Sequence, residues 1–191
     1  MILIKTLKKK INNLKVPVSG CIVMYNNDVE MLKQAITSFL NTDLHIKLYL
    51  IDNSPSDALK IIANDVNIEY YHNPLNPGFG SAHNIAILKA LEAGSHYHFI
   101  VNPDVYFNGS VISEMVAVMQ TDASIGMMMP QILNQDGTIQ YLPKLLPSPL
   151  SILWRKIKMP SPFYQKFLDE YELRKAPSEM IFNAPILSGC F

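Results

Sequence analysis

Asn76-Pro77-Gly78-Phe79-Gly80-Ser81-Ala82-His83-Asn84 opens an apolar helical pattern, and the strand that follows it, Tyr97–Val101, runs straight into Asn102-Pro103-Asp104. A glycine-bearing turn into a helix, then a strand with an acid just past its end, is part of an α/β crossover with two ligand edges on one rim. Gly78 and Gly80 allow positive φ and close backbone approach, and the unpaired N–H groups of the helix start face anything anionic. Asp104 is a hard oxygen ligand placed where a divalent cation could bridge to phosphate. The stretch predicts a phosphate-bearing ligand.

Outward from it, Val18–Met24 is a near-continuous apolar run, residues 46–51 are another and residues 68–71 a third, each separated from the next by a helical pattern. Buried parallel strands read this way because helices cover both faces of the sheet. Ligands of such sheets sit outside the carboxyl ends of the strands, where Tyr25-Asn26-Asn27, Asp52-Asn53-Ser54 and Asn102-Pro103-Asp104 fall. Three polar clusters therefore point to one crevice.

The 191 residues, 49% of them apolar, suffice for a buried core, and a formal net charge of zero argues against a nucleic-acid binder. The two cysteines, Cys21 and Cys190, offer neither a disulfide framework nor a zinc-type spacing, which predicts a reducing cytoplasm. No apolar run reaches spanning length, and Met1-Ile2-Leu3-Ile4 is interrupted by Lys5 too soon for a signal peptide. From Leu142 the regular alternation gives way to a stretch rich in proline, leucine and basic residues, then an amphipathic pattern over 163–175. Asn134-Gln135-Asp136-Gly137 predicts a turn between Gln131-Ile132-Leu133 and Thr138-Ile139-Gln140-Tyr141, making a small hairpin beside the main sheet.

At these residues the chain resembles the family 2 glycosyltransferases of the GT-A type, and more narrowly their bacterial rhamnosyltransferase-like branch. The resemblance runs from about Pro17 to the last residue. It rests on Val23-Met24-Tyr25-Asn26, Ile51-Asp52-Asn53-Ser54, the stretch 76–84, Val101-Asn102-Pro103-Asp104 and Met129-Pro130-Gln131-Ile132-Leu133-Asn134-Gln135-Asp136-Gly137, in that order. It implies a GT-A fold, a mostly parallel sheet flanked by helices with a hairpin and a C-terminal flap. The divisions would be a basic amphipathic segment at 1–16, a nucleotide-sugar-binding domain at 17–141 and the start of an acceptor-side region at 142–191. The implied activity is inverting transfer of a sugar, from TDP-rhamnose or a UDP-sugar, to a polysaccharide or lipid-linked acceptor in cell-surface polysaccharide synthesis.

Nucleotide-sugar binding is implied for Tyr25, Asn26, Asp52, Asn53, Asn76, Gly78, Phe79, Gly80, Asn84 and Asn102, and metal binding, Mg2+ or Mn2+, for Asp104. Asp52 would accept the N3–H of a pyrimidine base, with Tyr25 framing that base. Asn102 stands where the family's metal motif has a first aspartate, which shifts weight onto Asp104 and the diphosphate. Plainer roles exist for each: Asp52 as the cap of a helix near Ser56, Asp104 as an acid ahead of Ser110–Thr121, Tyr25 as a loop tyrosine. His83 is read as a partly buried polar residue on the first turn of the helix that this stretch opens, the turn that also carries Asn84.

The resemblance puts the catalytic base after a Ser-Gly-Ala/Cys-Phe-like strand, of which Leu187-Ser188-Gly189-Cys190-Phe191 is the beginning, so the base is expected beyond Phe191. Asp169, Glu170, Glu172 and Glu179 match no base motif. A nucleotide-sugar-binding remnant without turnover is the alternative to an enzyme. A Rossmann-type dinucleotide enzyme is set aside, because Tyr25-Asn26-Asn27-Asp28 replaces its glycine fingerprint. Ile4, Leu7, Ile11 and Leu14 share a helical face with Lys5, Lys8, Lys9, Lys10 and Lys15 around it, which suits either peripheral contact with the inner face of a membrane or a short packed helix. The apolar start of the last strand suits a homodimer through that edge.

Overall fold

The computed structural model describes residues 17–149, 152–153, 156, 162–177 and 180–187. The N-terminal segment 1–16, Glu179 and residues 188–191, with the membrane, dimer and final-strand expectations placed on them, lie outside the described residues.

The elements run β1 (Val18–Met24), α1 (Val29–Leu40), β2 (Ile46–Asp52), a 3-10 turn (Ala58–Ile62), β3 (Ile68–His72), α2 (Phe79–Glu92), β4 (Tyr97–Val101), α3 (Ser110–Thr121) and α4 (Pro162–Tyr171). The strands form a four-stranded parallel sheet in the order β3-β2-β1-β4. β1 is central and buried at every position, which is why it reads as an unbroken apolar run. β3, at the edge, is half-buried or exposed throughout.

Side chains of a strand alternate between faces, so each face of β1 meets a different helix. Cys21 and Val23, with Tyr49 and Ile51 of β2, pack on Ala82, Ala86 and Ala90 of α2, an alanine stripe at helical spacing that lets helix and sheet approach closely. Burial pushes the Cys21 thiol up to about 12, so it remains protonated and inert. On the opposite face Gly20 leaves room for the fully buried Phe39 ring of α1, which meets Phe99 of β4 edge-on at 5.9 Å. Burying a phenylalanine of this kind is worth about 2–3 kcal/mol.

Two contacts anchor the chain after β4 to α1. Ser38 Oγ accepts the Phe107 N–H at 3.1 Å, and Gly109 lies so close to the Asn41 carbonyl that a Cβ would overlap that oxygen. At the other end of the β4 crossover, His83 of α2 is buried with neither ring nitrogen partnered, its ring edge-on to Phe79 at 4.3 Å. His98 of β4 shares a 2.8 Å hydrogen bond with Ser19 Oγ through Nδ1, while its Nε2 is buried and unpartnered. Burial lowers both imidazoles to about 4, at His98 with a smaller contribution from the proximity of His83.

The described residues divide into two compact units, one up to Gly126 and one from Met127. The change of texture near Leu142 thus falls inside the second unit. There the expected turn forms: Gly137 takes φ +82°, its N–H reaches the Asn134 carbonyl at 2.9 Å, and Asp136 accepts from both the backbone and the hydroxyl of Thr138. The hairpin is one antiparallel bridge, Leu133 with Ile139. A second bridge joins Lys144 to Ile186. Arg174 pairs with Asp169 at 3.7 Å and Glu172 at 2.6 Å and stands over the Tyr141 ring, which occupies two of the acids after residue 168 in structural contacts. α4 ends at Tyr171, short of the expected 175, because the chain turns there and Leu173 adopts φ +50°.

Two outcomes are expected. Gly109→Ala drives a Cβ into backbone rather than into a movable side chain and should cost about 2–3 kcal/mol, seen as a lower urea midpoint at constant m. For the histidines, both folded-state values lie below the ordinary 6.5, so the unfolded chain takes up more protons between about 6.5 and about 4. Stability is therefore full above that window and falls as pH drops through it, by on the order of a few kcal/mol for the two rings together. Urea midpoints between about pH 7.5 and pH 4.5 measure this; His83→Gln with His98→Gln should flatten the dependence.

Candidate functional site

The carboxyl ends of the strands are tied together by the chain that leaves β2. Asp52, the last residue of β2, is 0% exposed; its Oδ1 accepts the Ser54 N–H at 2.9 Å and its Oδ2 the Tyr70 hydroxyl of β3 at 2.6 Å. Its carbonyl accepts the Asn73 N–H at 2.7 Å. The next N–H, of Asn53, goes to the Met24 carbonyl of β1 at 2.8 Å, and Ser54 Oγ accepts the Asn26 N–H at 2.9 Å. The Ser54 carbonyl meets the His72 ring at 2.9 Å. Burial, then the bond to Asp52, pushes the Tyr70 hydroxyl well above the usual tyrosine range, so it donates and never competes as an anion.

Outside this knot lies a cavity of about 500 Å³, within the usual range for small-ligand sites, lined by Val23, Tyr25, Asn27, Met31, Asn53, Asn76, Phe79, Asn102, Pro103 and Asp104. All belong to the first unit. The end of β1 contributes Val23 and Tyr25, the first turn of α1 Met31, the end of β2 Asn53, the entry to α2 Asn76 and Phe79, and the exit of β4 the tripeptide Asn102-Pro103-Asp104. Asn76 reaches the cavity from a left-handed backbone, φ +43°, which asparagine tolerates in turns. Among the described residues the lining holds one carboxylate, Asp104, and no lysine, arginine or histidine.

Of the residues named from the sequence, Tyr25, Asn53, Asn76, Phe79, Asn102 and Asp104 come together here. Asn26, Asp52, Gly78, Gly80 and Asn84 are not among the lining. Gly78 does take positive φ, +96°, as the N-cap of α2, and supplies no side-chain acceptor to the first-turn N–H groups. Gly80 does not: it is a helical residue of α2, because the turn is already complete at Gly78. Asn84 is exposed on α2 one turn further along. Asp52 does not cap a helix at Ser56; the 3-10 turn starts at Ala58, and the carboxylate caps its own loop instead. Asn27 and Met31 were missed. Asn27 sits in the flagged cluster after β1, where its Oδ1 accepts the Tyr25 N–H at 2.7 Å. Met31 is a half-exposed methionine in the first turn of a helix with an otherwise clear buried face, and that position was its only signal.

Among the described residues no group of three or more His, Cys, Asp or Glu is assembled to hold a metal ion. Asn102 and Asp104 supply hard oxygen donors at the cavity, and that set suits a divalent cation whose remaining ligands come from phosphate and water.

Residues 19–184 match the model of glycosyl transferase family 2, and the chain belongs to that family. The parallel sheet flanked by helices is the α/β arrangement expected of it. Two solved structures are similar in part: S. aureus TarS, at 18% identity and a TM-score of 0.46, covering 62% of this chain and 24% of that one; and TarS 1-349, at 17% identity and a TM-score of 0.46, covering 68% and 41%. The chain thus spans less than half the length of either. No curated protein sequence matches it. Among the described residues, no helix is long and apolar enough to cross a membrane.

The knot around Asp52 makes a prediction. Tyr70→Phe removes a hydrogen bond to a buried carboxylate and should cost about 1.5–3 kcal/mol in urea unfolding. A change within error would mean that the bond carries no net stability.

Proposed function

We propose that this chain binds a nucleoside diphosphate sugar in the strand-end cavity and takes part in transferring the sugar, with inversion, to a glycan or lipid-linked acceptor. The observation that supports this most is the lining itself: aromatic and amide side chains around a single carboxylate, on the rim where open α/β sheets bind nucleotides. Family membership supports glycosyl transfer as the reaction class. A donor carrying thymidine or uridine diphosphate, TDP-rhamnose among them, and a role in surface polysaccharide synthesis at the inner face of the membrane follow from the resemblance of the motifs.

A diphosphate beside Asp104 without a cation would be repelled, since no cationic side chain among the described residues lines the cavity. Asp104, assisted by Asn102, would hold Mg2+ or Mn2+ there. When bound, the ion supplies charge compensation for the departing nucleoside diphosphate. The first-turn N–H groups of α2, left without a side-chain cap, are available to the same anion. Deprotonating the acceptor needs a carboxylate, and Asp169 and Glu172 are engaged by Arg174, so the base belongs to the remaining acids or to a segment or chain supplied from elsewhere.

Calorimetric titration with UDP and TDP, each with Mn2+ and with chelator, tests the reading. Binding should require the metal, and Asp104→Asn should lower affinity in Mn2+ by about tenfold or more, to the chelated level. Metal-independent binding that survives Asp104→Asn would remove the metal role, and no binding of either nucleotide would remove the donor site. A radiolabelled donor assay then separates a transferase from a donor-binding remnant.

A further inference from the structure

A second hollow, of about 590 Å³, runs along the outer face of α1, lined by Glu30, Lys33, Gln34, Thr37 and Ser38 together with Tyr106 from the chain after β4. The five α1 residues fall at helical spacing in one stripe about 12 Å long, opposite the buried Leu32, Ala35, Ile36 and Phe39. An outward polar face is ordinarily just solvated, but here a wall stands beside it. Ser38 Oγ accepts the Phe107 N–H at 3.1 Å and donates to the Gln34 carbonyl at 2.7 Å, so the residue next to Tyr106 is pinned to the helix. The tyrosine itself is 65% exposed and presents its ring at the edge of the groove. Glu30 and Lys33 pair at 2.6 Å, which leaves the groove without net charge.

Resting on the transfer reaction proposed above, we propose that this groove is a saccharide subsite that holds the acceptor glycan, with the Tyr106 ring as a platform for one sugar. The lining mixes an acceptor in Glu30, a donor in Lys33 and groups that do both in Gln34 and Thr37, all exposed. A sugar asks for that mixture, because each hydroxyl donates and accepts while the C–H face of the ring packs on an aromatic surface. A charged ligand would find both Glu30 and Lys33 already compensated, and an apolar one would strand their polar groups. The groove also adjoins the strand-end cavity at two places. Met31, beside Glu30 in the first turn of α1, and Asp104, two residues before Tyr106, both line that cavity. A glycan laid along α1 therefore ends at the rim where the donor sugar would be held. Acceptor recognition then begins within the first unit, on the helix after β1, and not only in the region 142–191 to which the sequence pattern assigned it.

The test follows backbone amide shifts of the isotope-labelled chain during titration with trisaccharides of rhamnose, glucose, galactose and mannose at millimolar concentration. Wild type is compared with Tyr106→Ala, Tyr106→Phe and Thr37→Arg, each verified as folded by its own amide spectrum. At least one trisaccharide should shift amides along residues 30–38 and at Tyr106, with or without Mn2+. Tyr106→Ala should weaken that binding roughly three- to tenfold, the worth of one ring contact. Tyr106→Phe keeps the ring and should retain it, whereas Thr37→Arg fills the groove and should abolish it. Calorimetric affinity for UDP in Mn2+ should be the same in all of these proteins, since neither changed residue lines the donor cavity. Sugar shifts confined to the strand-end cavity, sugar binding indifferent to Tyr106→Ala and Thr37→Arg, or no shift with any trisaccharide overturns the inference. Trisaccharide binding in the groove without UDP binding upholds the groove and refutes the donor site; the converse refutes the groove alone.

Discussion

A buried carboxylate holds the strand ends in register. Asp52 is fully enclosed, and so polar a side chain is tolerable there because Tyr70 and the Ser54 amide satisfy it. Each of those partners belongs to a different piece of chain, so satisfying the side chain also fixes β3 against β2 and folds the loop after β2 back on itself. The flanking Asn53–Met24 and Ser54–Asn26 bonds extend the constraint to β1. The cavity lies beside this knot, and its lining residues from the exits of β1 and β2 keep their spacing because the knot does.

β1 and β4 were legible to the residue, β1 because a strand paired on both sides and covered on both faces reads as a near-continuous apolar run. β2 and β3 each run one residue beyond their apolar stretch, to Asp52 and His72, which pair with each other. That single added residue matters at the site. As the last paired residue of β2, Asp52 obeys the strand's alternation and is directed into the interior network, while Asn53, one step past the ladder, is the residue that meets the cavity. Sequence shows which polar residues gather at a strand end, but which one faces the ligand depends on where pairing stops.

The entry to α2 shows the same boundary effect. Two glycines in the motif suggested two left-handed positions, yet one at Gly78 completes the turn and Gly80 simply begins the helix. Asn84, expected at the nucleotide sugar, stands on an exposed face of the helix that starts at Phe79. Asp104 and Asn102 were legible because a polar pair directly after a short buried strand has nowhere to go but the rim. Met31 was not, since an isolated methionine carries no polar signature.

The non-sequential strand order has a kinetic side. β1 stands at the centre, yet its second neighbour is β4, and the Ser19–His98 bond closes a separation of 79 residues. Pairings of this length form late, because the entropy of closing so large a loop precedes any return from the contact. Until residues 97–101 arrive, one edge of a nearly apolar strand is open. The crossover that delivers the candidate ligand-binding rim thus also leaves the nascent chain with an exposed edge for the time it takes to make and dock α2 and β4.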